Sequence, residues 1–174
     1  MSKKYFFDTE FYEDGKTIEL ISIGIVCDDG RELYLENNEF DWTRVPSDHW
    51  LYVNVRPILN GRSIEKVTKA EIRKRVEKFF DLGDGKQPEP GIYAYYADYD
   101  WVVLCQLFGT MMSLPKGMPI FCYDLKQMMR ERGLHTKWKC DTVPDPVNEH
   151  NALADAKWGM SLWTAIIKEQ PSIL

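Results

Sequence analysis

Tyr5-Phe6-Phe7-Asp8-Thr9-Glu10 sets three large apolar side chains directly before two carboxylates spaced two positions apart. An unbroken apolar run of this kind reads as a short buried strand, ending at Asp8. Ile18 to Val26, rich in β-branched residues, reads as a second strand. Asp28-Asp29-Gly30 is a turn signal, and Glu32 to Glu36 reads as a third strand. The first 36 residues therefore form a meander. Beyond it, Thr68 and Glu71 have capping-box spacing, with Val67 and Ile72 placed as a hydrophobic staple. Ile72, Val76, Phe79 and Phe80 then keep helical period to Asp81. A loop (Asp81 to Pro90) leads to a strand over Ile92–Tyr96 and a helix carrying Val103, Leu104, Leu107 and Phe108. Pro119–Tyr123 reads as a short strand, and Leu125–Arg132 as a helix stopped by Gly133. A long irregular connection spans Leu134–Glu149, and a last helix runs from about Asn151 to Lys168. The order β-β-β-α-β-α-β-α-α predicts an α/β fold, antiparallel through its hairpins and parallel through its crossovers.

The 174 residues suit one domain over 1–174, with no staple needed to fold. Apolar residues make up 44% and charged residues 28%, which argues against disorder. The formal charge of −5 excludes the strongly basic type of nucleic-acid binder, though not a binder with local basic patches. Cys27, Cys105, Cys122 and Cys140 form no C-x-x-C pair and read as reduced thiols. Acids at Asp8 and Glu10 come too early for a signal peptide, and Leu20 to Cys27 is far too short to span a membrane. The expectation is a soluble, cytoplasmic protein with no membrane partner.

Three acidic features stand out. Asp8 and Glu10, at i and i+2 of a strand, point the same way and can reach one cation. Chance alone supplies about one D-x-E in a chain with this many acids, so its place beside a buried strand matters more than the motif. Asp98 and Asp100 lie between a strand and a helix, at the sheet edge where α/β proteins place their sites. Asp98 suits an N-cap, leaving Asp100 free to face a neighbour. His150 and Asp155 are five residues apart, about 140° around a helix. They share a site only if His150 stands at or before the helix start. Together these residues supply ligands for two divalent cations, with carboxylate oxygens suited to Mg²⁺ or Mn²⁺ and a histidine suited to general-base chemistry.

The order D-x-E, then Asp, then H-x-x-x-x-D resembles the DEDDh group of 3′–5′ exonucleases in the ribonuclease-H-like superfamily. Phe6 to Gly24, Tyr99-Asp100 followed by Leu104 and Leu107, and His150 to Ala156 are most similar to the small bacterial and phage polyadenylate-specific 3′-exoribonuclease AS type. The resemblance implies a mixed five-stranded sheet, second strand antiparallel, flanked by helices. It implies that Asp8, Glu10 and Asp155 hold one metal, that Asp8 bridges to a second held by Asp100, and that His150 is the general base. Thr9 and Phe11 match positions that touch the terminal nucleotide. The implied partners are RNA 3′ ends, with DNA the rival substrate, and a homodimer is common among similar enzymes. The implied setting is a bacterial or phage-infected cell. A rival of another class is a non-catalytic interaction module on the same fold, which has no reason to keep mutually repelling carboxylates together.

Charge is uneven along the chain. Residues 1–41 carry net −7, while 62–78 and 126–139 each carry net +4. The basic residues of 62–78 read as a solvated helix face with i,i+4 pairs. In 126–139, Lys137-Trp138-Lys139 sets an aromatic between two cations, so Trp138 is a candidate to stack on a base, and equally to pack as a lid anchor.

Overall fold

The computed structural model describes residues 2–59, 66–83 and 88–169. It contains six strands: β1 (Lys4–Glu13), β2 (Ile18–Cys27), β3 (Glu32–Asn37), β4 (Lys66–Val67), β5 (Gly91–Ala94) and β6 (Tyr123–Asp124). The helices are α1 (Trp50–Asn54), α2 (Lys69–Phe80), α3 (Ala97–Phe108), α4 (Leu125–Glu131), α5 (Thr136–Thr142) and α6 (Ala152–Lys168). The sheet order is β4-β3-β2-β1-β5-β6. β2 runs antiparallel to β1 and β3, and the other three pairings are parallel. The mixed α/β sheet agrees with the sequence reading; the strand number is six, not five. The sixth strand is the two-residue β4, too short to show periodicity. It forms because the chain entering α2 runs beside β3, with Glu36 opposite Lys66 and their side chains ion-paired at 3.4 Å.

β1 does not stop at Asp8. Pairing with β2 carries it on to Glu13, across a bulge between Glu10 and Phe11 where Ile21 has no partner opposite. The neighbouring backbone, rather than side-chain hydrophobicity, sets the strand's length. Tyr5 and Phe7 join the core under α2 and α3, whereas Phe6 packs with Val26 and Ala156 under α6. The apolar run is thus buried on both faces, as its composition requires.

Thr68 caps α2, its hydroxyl accepting from the Glu71 amide at 3.2 Å, and Ile72, Val76 and Phe80 form the buried stripe. The connection 134–149 is not wholly irregular, because α5 lies inside it. α1 and a 3-10 turn at Trp42–Arg44 pack with Ile21, Phe40 and Val55 as a separate apolar cluster, in a stretch without a clear helical period. Arg62 of the basic segment and residues 84–87 of the loop after α2 lie outside the described residues.

Candidate active site

Asp8 and Glu10 occupy alternate positions of β1 and project from one face. Glu10 is buried. Asp100 arrives from the first turn of α3. The pairing of β5 with β1 ends at Phe6 opposite Tyr93, which leaves that edge of β1 open beyond it. There the Thr9 amide and hydroxyl both donate to Asp100 Oδ1, at 2.8 and 2.5 Å. Asp98, two positions back and about 200° around the helix, is exposed. It does not cap α3. The N-cap is Tyr96, in the left-handed region at φ 57°, and the Ala97 amide instead donates to Asp124 Oδ2 at 2.7 Å. Asp124 Oδ1 accepts from the Gln127 amide at 2.7 Å and so caps α4 as well. One carboxylate therefore fixes the start of two helices, one of which carries Asp100.

The third arm is the start of α6. Gly24 of β2 stands directly opposite Asp8. A Cβ on Gly24 would lie 2.3 Å from the Ala152 carbonyl carbon and oxygen and from the Leu153 nitrogen. The first turn of α6 thus rests on bare backbone beside Asp8. Asn151 caps the helix, accepting from the Ala154 amide at 3.1 Å. His150 precedes the cap in a left-handed conformation, φ 69°. Its backbone amide donates to Asp155 Oδ2 at 2.9 Å. This local reversal overcomes the 140° separation, because His150 is outside the helix. Ligand atoms of Glu10, His150 and Asp155 all fall within 4.8 Å of one another. The His150 ring stands edge-to-face with Trp50, centroids 4.6 Å apart.

Burial chiefly, and then the charges of Asp100, Glu10 and Asp155, push the Asp8 carboxyl well above the usual range. Glu10 is pushed up to about 9 by burial and by Asp155 and Asp100. Asp155 rises to about 6, through burial opposed by the His150 amide. Asp100 also rises to about 6, through burial opposed by its two bonds from Thr9. Among the described residues, no ion pair reaches any of these four carboxylates. A crevice of about 320 Å³ opens beside Asp8, His150 and Asp155, walled by Tyr95, Tyr96 and Lys139.

The other candidates lie as follows. Thr9 is buried, its hydroxyl engaged by Asp100. Phe11 stacks on the exposed ring of Tyr99, with centroids 5.7 Å apart and planes within 5°. Trp138 sits away from the carboxylates, packed in the α4–α6 cluster, and its Nε1 donates to Glu169 at 3.2 Å. Lys137 pairs with Asp141 at 2.6 Å. Lys139 turns inward onto Asp145 at 2.6 Å and over the Trp158 ring at 4.9 Å. Sequence reasoning missed Asp124, Gly24 and Trp50. Asp124 had the signal of an acid just before a helix, and Gly24 that of a glycine inside a β-branched strand. Trp50 had none.

Among solved structures, the family B DNA polymerase of Pyrobaculum calidifontis superposes with a TM-score of 0.49 at 16% identity, over 96% of this chain and 25% of the polymerase. Two curated proteins of Mycobacterium tuberculosis are much more similar: the 3′-5′ exoribonuclease Rv2179c of strain H37Rv and the 3′-5′ exoribonuclease MT2234.1 of strain CDC 1551. Each is 40% identical over 156 residues, covering 88% of this chain and 87% of the relative. The family model for the 3′-5′ exoribonuclease Rv2179c-like domain matches residues 3–167, and the chain belongs to that family.

Proposed function

We propose that this protein is a 3′–5′ exoribonuclease of the DEDDh type, releasing nucleoside 5′-monophosphates from RNA 3′ ends. The observation that carries the reading is the convergence of four carboxylates from β1, α3 and α6 with His150, with no ion pair to any of them among the described residues. Such a cluster is costly unless cations occupy it. The donor set, carboxylate oxygens with one imidazole, fits Mg²⁺ or Mn²⁺. Asp8, Glu10 and Asp155 would hold one ion, and Asp8 and Asp100 a second. When bound, such ions would supply charge neutralisation at the scissile phosphate and acidify an attacking water.

The chain's own residues supply the rest. His150, outside the helix and braced by Trp50, offers a ring nitrogen beside Glu10 and Asp155 to take the proton from that water. Thr9 holds Asp100 through two hydrogen bonds to one carboxylate oxygen, which fixes the carboxylate beside β1. Phe11 with Tyr99, and Trp50, offer aromatic faces for the last bases. The exoribonuclease name of the family supports RNA as the substrate, and the 2′-hydroxyl is the handle by which RNA would be distinguished from DNA.

The test is trimming of 5′-labelled RNA and DNA oligonucleotides in Mn²⁺ or Mg²⁺. Stepwise shortening from the 3′ end is expected, lost in excess chelator and in folded Asp8→Asn and Asp155→Asn proteins. Full activity in chelator, or in either variant, would overturn the reading. Faster trimming of DNA would reassign the substrate.

A further inference from the structure

A second concavity, about 540 Å³, lies between α2 and α3, outside the carboxylate cluster. Its floor is apolar, from Ile18, Leu20, Val103 and Leu107, and its rim carries Lys69, Arg73 and Lys74 against the single acid Glu77. The i,i+4 reading of this segment accounts for Arg75, which binds Glu71 at 2.9 Å. Lys69 is likewise engaged, by Glu19 at 3.2 Å. It leaves Arg73 and Lys74 unexplained. Neither has an ion-pair partner among the described residues, and Arg73 lies over the Phe108 ring at 5.8 Å. The basic strip continues beyond the groove. Lys74 also borders a shallower concavity on the other side of α2, together with Arg31 and Lys78.

This groove adjoins the candidate active site. Leu20 on its floor pairs directly with Phe11, the residue after Glu10. Val103 stands one helical turn beyond Tyr99, whose ring stacks on Phe11. From Asp100, α3 runs seven residues to Leu107, about 10 Å. That is the span of roughly three stacked nucleotides. An aromatic pair thus stands between a carboxylate cluster and an apolar channel with a cationic rim, the combination that tracks a single strand.

We infer that the α2–α3 groove binds the 5′-side continuation of the RNA whose 3′ end occupies the carboxylate site, with Arg73 and Lys74 contacting its phosphates. The inference rests on the exoribonuclease reading, and it predicts that affinity grows with substrate length.

The experiment measures binding of 5′-fluorescein RNA of three and ten nucleotides by anisotropy, in chelator so that nothing is cut, across a salt series. The intact chain is compared with Arg73→Gln/Lys74→Gln, and with the charge-keeping Arg73→Lys variant. Thermal melting checks that each is folded. The ten-mer should bind more tightly than the three-mer to the intact chain. Losing two phosphate contacts should flatten the ten-mer's log-affinity against log-salt slope by about 1.4. Arg73→Lys should keep most of the slope, which a merely structural role for Arg73 would not require. Equal binding of the two lengths, or an unchanged slope in the double variant, overturns the groove assignment. A chain that binds the ten-mer through the groove but never shortens it in Mn²⁺ would overturn the exoribonuclease reading instead.

Discussion

Adding one methyl group at Gly24 is expected to damage catalysis from a position that cannot touch substrate chemistry. The Cβ of Gly24→Ala would lie 2.3 Å from three backbone atoms of Ala152 and Leu153. Carbon atoms pack at about 3.5 Å, so the first turn of α6 must retreat by about 1.2 Å. Backbone, unlike a flexible side chain, gives way only as a unit. The retreat carries His150 and Asp155, which are locked together by the bond from the His150 amide to Asp155. It does not carry Asp8 and Glu10, which belong to β1. A misplacement of about 1 Å between groups that must act together costs up to about 100-fold in rate, and overpacking of this kind costs about 1–3 kcal/mol of stability. Gly159→Ala is the internal control, since it adds the same methyl to the same helix. Its Cβ would meet Leu125 Cδ1 at 3.5 Å, an ordinary contact. Initial rates of RNA trimming and thermal melting are measured for both. Gly24→Ala should lose most activity and several degrees of melting temperature, while Gly159→Ala stays close to the parent. Wild-type rates in Gly24→Ala would refute the claim that this contact sets the distance between the two halves of the site.

Further predictions concern charge and positioning. In chelator, the raised carboxyls of Asp8, Glu10, Asp100 and Asp155 mean that the folded chain holds protons that the unfolded chain has released between about pH 4 and pH 9. Their contribution to stability is therefore fully present below pH 4 and lost as pH rises through the folded values, so melting in chelator should fall from pH 5.5 to pH 8.5. Mn²⁺ should erase most of that fall, and a metal-independent, pH-flat melting curve would contradict it. Asp8→Asn, which removes a carboxyl that the fold disfavours in its ionised form, should raise the melting temperature in chelator at pH 8.5 while abolishing trimming; a variant less stable than the parent there would count against mutual repulsion. Asp124→Ala frees the amides of Ala97 and Gln127 together, and should cost about 1–2 kcal/mol in denaturant unfolding. Its trimming rate should fall as well, because α3 carries Asp100, and a stability loss with unaltered kcat would limit Asp124 to a structural role.

Much of this arrangement is legible in local chemistry. The Tyr5-Phe6-Phe7 run specifies a buried strand, and the Thr68 cap with Ile72, Val76 and Phe80 specifies α2. Where the sequence misleads, the cause is a contact with a distant segment. Polar residues suggested that β1 ends at Asp8, but hydrogen bonding to β2 extends it through the acids to Glu13. Asp98 looked like a cap, but the α3 amide is claimed by Asp124, 27 residues on. Lys139 looked like one of two cations flanking a base-stacking Trp138, but α5 turns it onto Asp145 and Trp158.

The sequence by itself determined the chemical inventory: which strand is buried, that two acids spaced two positions apart stand where it emerges, and that a histidine precedes the last helix. Those properties depend on residue type and on spacing along one element. Only the tertiary structure decided that the acids of β1, α3 and α6 converge, because convergence depends on how closely separate elements pack. Here that distance is fixed by a missing side chain at Gly24, by two hydrogen bonds from Thr9 to Asp100, and by a left-handed turn at His150. The same holds for the α2–α3 groove. The basic residues of α2 can be counted in the sequence, but only packing sets Arg73 and Lys74 beside an apolar floor from β2 and α3.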